Sequence, residues 1–222
     1  MHEKKPTKSA RKKRKGPTRK KFRRAFIFQT DEFQLNLIRH GGKIRALRLP
    51  KRYLGDIEER EARRNYARYM IFHLLFPQHA LEPVSIASVK KRGKERWGMV
   101  TEIIKGRSRD YKIFQRCSYM EGYEPSDVEI DAIGRHEKFV VKNGRKIKED
   151  IWKKTGISLN YSPVNVCNVK GKPVFFEVDK VDPKKVWEYA EKKLDFNVPK
   201  DPMKFYENKE KLRKIKELLK DL

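Results

Sequence analysis

Thirteen of the first 24 residues are Lys or Arg, and side chains of that type at that density offer one chemistry, the neutralisation of closely spaced anionic groups. They are Lys4, Lys5, Lys8, Arg11, Lys12, Lys13, Arg14, Lys15, Arg19, Lys20, Lys21, Arg23 and Arg24. Against them stands the single acid Glu3, so residues 1–24 carry +12 of the chain's +26. Most of the other places hold Pro, Thr, Ser, Gly or Ala, which bury no core, and the segment is expected to be a disordered arm in isolation. Beside a phosphate backbone such an arm releases counterions. Contact with ~8 phosphates would make affinity fall by orders of magnitude over a few-fold rise in salt. Binding of this kind is strong and nearly blind to base sequence.

The excess continues beyond the arm. Lys90, Lys91, Arg92, Lys94 and Arg96 form one run, Lys105, Arg107, Arg109, Lys112 and Arg116 a second, and Lys142, Arg145, Lys146 and Lys148 a third. A nuclear import signal, a contact with acidic lipid or a solubilising tail needs only the arm, whereas a polyanionic partner also accounts for the basic body. Extensions of this composition resemble those of ribosomal proteins, which thread between rRNA helices. RNA is favoured over DNA because no helix-turn-helix, zinc finger or basic zipper is legible. Tyr111, Phe114, Tyr119 and Tyr123, interleaved with Lys112 and Arg116, are the candidate base-stacking residues. Trp97, Trp152 and Trp187 are read as core. His73 is read as partly packed and the other histidines as solvated.

Other chemistries find less support. The two cysteines, Cys117 and Cys167, form no CxxC, and the histidines do not cluster, which argues against a zinc site or a disulfide framework. No stretch approaches the roughly 20 apolar residues of a membrane-spanning helix, and no apolar run follows the N-terminal cations as in a secretory signal. A cytoplasmic protein is expected, or a nuclear or nucleolar one if the source is eukaryotic. Four glutamines among abundant Lys, Glu and Arg hint at a heat-adapted source.

The elements that must position these residues follow from periodicity. Phe26–Phe28 and Phe33–Ile38 alternate as strands, Gly41-Gly42 turns the chain, and Ile44–Leu49 alternates again. Asp56 with Glu59 has capping-box spacing, opening a helix to about Phe76 with Ile57, Tyr66, Met70, His73 and Leu74 inward. Strands are expected at Val84–Val89 and Trp97–Ile104, helices at 127–141 and 148–154, and a strand at Val174–Val178. Asp182-Pro183 and Asp201-Pro202 each start a helix, the second with Phe205, Leu212, Ile215, Leu218, Leu219 and Leu222 on one face. The fold class is α+β: a disordered arm over 1–24, then one domain over 25–222, with a β-rich lobe (25–106) holding one long helix and a mostly helical lobe (107–222).

Two segments resemble the protein-kinase-like fold in a small microbial form. Trp97-Gly-Met-Val-Thr-Glu-Ile-Ile-Lys-Gly106 is similar to the kinase strand and hinge, with Glu102 at the hinge. Gly156-Ile-Ser-Leu-Asn-Tyr-Ser-Pro-Val-Asn-Val166, followed by Gly171-Lys-Pro-Val-Phe-Phe-Glu-Val-Asp179, resembles the catalytic loop and the metal-binding strand beyond it. The likeness spans about residues 26–195. It implies that Asn165 and Glu177 occupy the magnesium-binding positions and that Arg48, Glu61, Glu102, Asn165, Glu177 and Asp179 would line a nucleotide site.

The departures fall on the chemistry. The catalytic Asp is replaced by Asn160, an amide that accepts no proton from a substrate hydroxyl. Arg48 replaces the ATP-binding Lys, its partner acid being Glu58, Glu59 or Glu61, and Gly41-Gly42 alone would make a poor phosphate cover. The resemblance therefore implies a pseudokinase, with no catalytic residue, no cofactor and no metal expected. Read without it, Asn160, Asn165 and Asn168 are turn residues, and Glu177 and Asp179 face arginines from an edge strand. The reading favoured is an RNA-binding component of a ribonucleoprotein such as the ribosome. The alternative is an atypical Mg-ATP-dependent phosphotransferase associated with ribonucleoprotein, with Asn165 and Glu177 holding the metal.

Overall fold

The computed structural model describes residues 33–120, 122–194 and 202–222. The basic arm, the strand expected at Phe26–Phe28 and Asp201 lie outside the described residues. What is described is an α+β structure, with an antiparallel sheet in the N-terminal half and most of the helices after it.

The sheet is built from β1 (Phe33–His40), β2 (Lys43–Pro50), β3 (Pro83–Lys91) and β4 (Lys94–Thr101) in the order β1-β2-β4-β3. Gly41 and Gly42, both at positive φ, close the β1–β2 hairpin where a side chain would be strained. The two edge strands curl toward one another: Lys91 Nζ donates to Gln34 Oε1 at 2.7 Å, and Ser85 Oγ and His40 Nε2 share a hydrogen bond at 3.0 Å. Inside the curl Leu47, Leu49 and Val100 are buried with Ile38, Val84, Ala87 and Val89 against them. Gly98 sits where a Cβ would come within 2.3 Å of the Arg48 carbonyl oxygen, so only glycine lets β2 and β4 approach this closely.

The other sheet face packs on α1 (Glu58–Leu75), whose Ala62, Ala67, Tyr69, Met70, Ile71, Phe72 and Leu75 are buried. Its start differs from expectation. Asp56 makes no capping bond and Ile57 is half exposed. Glu58 carries out the capping from inside, accepting from the backbone N–H groups of Leu54 (3.1 Å) and Trp97 (3.0 Å) and from Arg96 Nε at 2.7 Å. Strand β4 ends at Thr101, short of Ile104, because the chain leaves the sheet there.

Beyond the sheet come α2 (Arg109–Tyr119), α3 (Asp127–Phe139), a π-turn at Val140–Gly144, α4 (Arg145–Thr155), α5 (Pro183–Lys193) and α6 (Pro202–Leu218). Helix α2 was not expected, although Ser108 caps it by accepting from Tyr111 N–H. A capping box of Ser126 and Glu129 opens α3, and Asp182 accepts from Lys184 and Lys185 N–H to open α5 after Pro183 removes one donor. Gly156, at φ 67°, ends α4 where a Cβ would lie 2.6 Å from that of Asp182. Ile215 and Leu218 of α6 join α1 in the main core, with Leu212, Leu219 and Leu222 packed against it. Trp152, expected in the core, is 44% exposed on α4, with Lys185 Nζ 5.7 Å from its ring centre.

Candidate functional site

Four short strands carry the segment 156–181. Ile157–Leu159 (β5) pairs with Val178–Val181 (β8), and Val166–Val169 (β6) forms a hairpin with Lys172–Phe175 (β7). The apolar run expected as one strand, Val174–Val178, is therefore broken at Phe176-Glu177. That break matters for the site, because it turns Glu177 inward to face the loop between β5 and β6. Asn165 is 0% exposed and Glu177 1%. One oxygen of the Glu177 carboxylate accepts from Asn165 Nδ2 at 2.8 Å and from Asn160 Nδ2 at 3.2 Å. Backbone bonds from Asn160 N to Glu177 O (3.2 Å) and from Phe176 N to Asn165 O (2.8 Å) lock the two segments together.

The turn reading of the asparagines also holds in part. Asn160 Oδ1 accepts from Ser162 N, and Asn168 Oδ1 from Gly171 N. Asn168 only turns the β6–β7 hairpin, whereas Asn160 and Asn165 both turn the chain and bind the acid. Asp179 is not brought to this cluster: it is exposed on β8, with Ser158 Oγ at 3.4 Å. The loop rests on His136, which is buried rather than solvated. Its Nε2 bonds the Pro163 carbonyl at 2.9 Å, and its ring lies against Tyr111 and Phe114. Burial holds the imidazole below its ordinary pKa. It likewise pushes the thiol of the fully buried Cys167 up to about 12, which removes it as a nucleophile.

Arg48 on β2 reaches the same junction from the sheet. It is 2% exposed, donates from Nη2 to the Phe176 carbonyl at 2.6 Å, and stands within 3.4 Å of Tyr69 Oη, which itself donates to that carbonyl. The guanidinium also lies 5.0 Å from the Phe33 ring centre and 5.3 Å from that of Tyr69. The partner acid expected on α1 is a correction. Glu58 pairs with Arg96, Glu59 with Arg63 and Glu61 with Arg64, so Tyr69 is the α1 side chain that meets Arg48. No carboxylate among the described residues forms an ion pair with Arg48, and its Nε is buried without a hydrogen bond. A buried cation in that position is poised for an anion.

A cleft of about 420 Å³ opens beside it. Leu35, Leu37, Ala46, Leu81 and Phe176 supply apolar walls, Thr101–Ile104 forms one edge, and Arg107, Lys112 and Arg116 line the α2 side. Glu102 is present but engaged, paired with Arg45 at 2.8 Å, and its N–H bonds Glu82 O. Among the described residues, no backbone hydrogen bond engages the peptide groups of Ile103 and Ile104. Apolar walls with a few free backbone groups along one edge suit a planar heteroaromatic ring.

The remaining basic candidates separate. Lys90, Arg92 and Lys94 are exposed around the tip of the β3–β4 hairpin, with Lys91 tied to Gln34. Arg96 is a correction: it is 8% exposed, bound to Glu58 and to the Pro50 carbonyl at 2.6 Å, and it braces the fold. Lys105, Arg109, Lys112 and Arg116 are exposed near the cleft, Arg116 in an ion pair with Glu129. Tyr111 and Phe114, expected to stack on bases, are buried at 0% and 6% because α2 turns them into the core. Tyr119 does line the cleft, and Tyr123 donates to Glu129 at 2.8 Å.

No protein-family model matches the chain, and no curated protein is significantly similar to it. The site's own geometry therefore carries the functional argument. It brings together Asn160, Asn165, Glu177 and Arg48, sets Glu102 and the α2 cations around the adjoining cleft, and leaves Glu61, Asp179 and Arg96 elsewhere.

Proposed function

We propose that this is an RNA-binding protein whose kinase-like body binds a nucleotide without transferring its phosphate. The observation that supports the reading best is the buried cluster behind the cleft wall, joined to the lining through Phe176. Glu177, Asn165 and Asn160 converge as the acid, amide and base of a phosphotransfer site would, but an amide stands where the proton acceptor is needed. The base of the nucleotide would lie between Ala46, Leu35 and Phe176 against the Ile103–Ile104 edge, with its phosphates toward Arg48. RNA affinity comes from the basic arm together with the exposed cations of the body.

The groups present fit a magnesium-bound nucleotide. Glu177 has a carboxylate and Asn165, whose amide nitrogen meets it, an amide oxygen, and Mg²⁺ typically takes one or two carboxylates plus phosphate oxygens. Among the described residues no cluster of three or more His, Cys, Asp or Glu could hold a metal alone, so the phosphates would complete the set. Bound there, the metal would neutralise phosphate charge. Asn160 offers only an amide to any attacking hydroxyl.

Thermal melting of the full chain with ADP or ATP, with and without Mg²⁺, tests the reading. A ligand present at 100 times its Kd adds about 2.7 kcal/mol to the folded state. A rise in Tm with ATP, without phosphate transfer to protein or RNA, is the expected result; unchanged melting at millimolar nucleotide would remove the nucleotide part. A second reading, the active phosphotransferase, is favoured by the Asn165–Glu177 pair alone. It predicts turnover that Asn165→Ala abolishes.

A further inference from the structure

We infer that the cleft takes the terminal nucleotide of a single-stranded RNA, the rest of the strand leaving along one face of α2. The inference rests on the nucleotide-binding reading above and names the substrate class of the same cleft.

The cleft wall is divided between two kinds of surface. Its sheet side sets Leu35, Leu37 and Ala46 beside Arg48, and its α2 side carries Arg107, Lys112 and Arg116. A base would face the apolar side chains with its own phosphate toward Arg48, and the phosphates of the nucleotides beyond it would face α2. The cations do not stop at the mouth. Arg109, Lys112 and Arg116 stand at helix spacings of three and four and so share one face of α2, and Arg109, between the lining residues Arg107 and Lys112, is exposed without lining the cleft itself. From Arg109 to Arg116 this face runs roughly 10 Å. A mononucleotide meets only the cations at the mouth, whereas a strand meets the whole row.

Charge pairing points the same way. The only acid in α2, Asp110, is held by Arg135 at 3.0 Å, and Glu129 takes Arg116. Lys105, Arg107, Arg109 and Lys112 have no carboxylate partner among the described residues, which leaves a strip of cations along the exit. Tyr119, on the same helix and lining the cleft, presents an aromatic surface of the kind on which a base stacks. The volume of about 420 Å³ accommodates one nucleotide, which makes the end of a strand, and not its middle, the part that enters.

The test uses the full chain and a single-stranded RNA decamer carrying 2-aminopurine at the 5′ end, the 3′ end or the centre. The arm binds all three, so the readout is the fluorescence of the reporter base. Expected is quenching at one terminus at least three-fold greater than at the centre, relieved by ADP. Arg109→Glu lies outside the cleft and should weaken the terminal quench at least five-fold while leaving the ADP-induced rise in Tm in place. Equal quenching at all three positions, or an Arg109→Glu protein that quenches normally, overturns the inference while the nucleotide reading stands on its ADP shift. Loss of both the ADP shift and the terminal quench overturns the two together.

Discussion

Asn165 and Glu177, twelve residues apart and both buried, are joined by a 2.8 Å hydrogen bond from the amide to the carboxylate. The acid is also held by Asn160, so the carboxylate organises two loop amides at once. Replacing Glu177 by Ala leaves both donors unanswered, one of them fully buried. The cost should be about 2–4 kcal/mol, because each buried unsatisfied group costs about 1–3. Glu177→Gln keeps an acceptor and should retain more of the stability. Urea unfolding of the two variants checks the order, and equal losses would show that the charge, not the acceptor, holds the loop.

The ion pair of Arg96 with Glu58 has side-chain exposures of 10% and 1%, and Glu58 also caps two backbone N–H groups. Glu58→Ala strands a buried guanidinium and should cost about 3–5 kcal/mol. Glu59→Ala, one residue along, breaks only an exposed helical pair with Arg63 and should cost less than about 0.5 kcal/mol. Comparable denaturation midpoints for the two would refute the bracing role of Arg96.

Burial holds His73, His79 and His136 below the ordinary imidazole pKa. The unfolded chain therefore binds more protons than the native one once pH drops below about 6.5. Stability is full above that value and declines as pH falls toward the depressed native values. Glu129, pulled down to about 2 chiefly by the Ser126 backbone N–H, adds a second decline that begins only below its ordinary 4.5. The free energy of unfolding measured from pH 7.5 to 5 should hold to about pH 6.5 and then fall, and His136→Phe should flatten the slope. A flat profile in the unsubstituted protein would contradict the burial of these rings.

The proposed RNA binding assigns the arm and the buried core different roles. Changing Arg11, Lys12, Lys13, Arg14 and Lys15 to Gln should reduce the slope of log K against log salt by about 3–4, at roughly 0.7 per phosphate contact on a single strand. Tyr111→Ala should lower stability by about 3–5 kcal/mol and leave that slope alone, because the ring is fully buried. Filter binding at several salt concentrations, alongside melting curves, separates the two.

Much of the frame was legible in local pattern. Alternation and the Gly41-Gly42 turn placed β1 and β2, and Asp182-Pro183 opened α5, because these signals are carried by neighbouring residues. Helix α2 is masked in the sequence because its cations interrupt the apolar period, so Tyr111 and Phe114 read as a basic aromatic stretch; Ser108 as its cap is the available signal. The kinase resemblance assigned Glu177 and Asn165 to one site, whereas their direct hydrogen bond depends on the break at Phe176-Glu177 and was not legible in spacing. The diversion of Glu58, Glu59 and Glu61 to other arginines could not be read locally, since it depends on which way α1 rolls against the sheet.

The packing of α6 on α1 sets an order of events during synthesis. Helix α1 is made early, but its core partners Ile215 and Leu218 emerge about 140 residues later, a delay on the order of ten seconds at typical translation rates. Through that interval the nascent sheet and α1 hold an uncovered apolar flank, although the arm has already been made. On the proposed reading, attachment through the arm would precede the cleft itself.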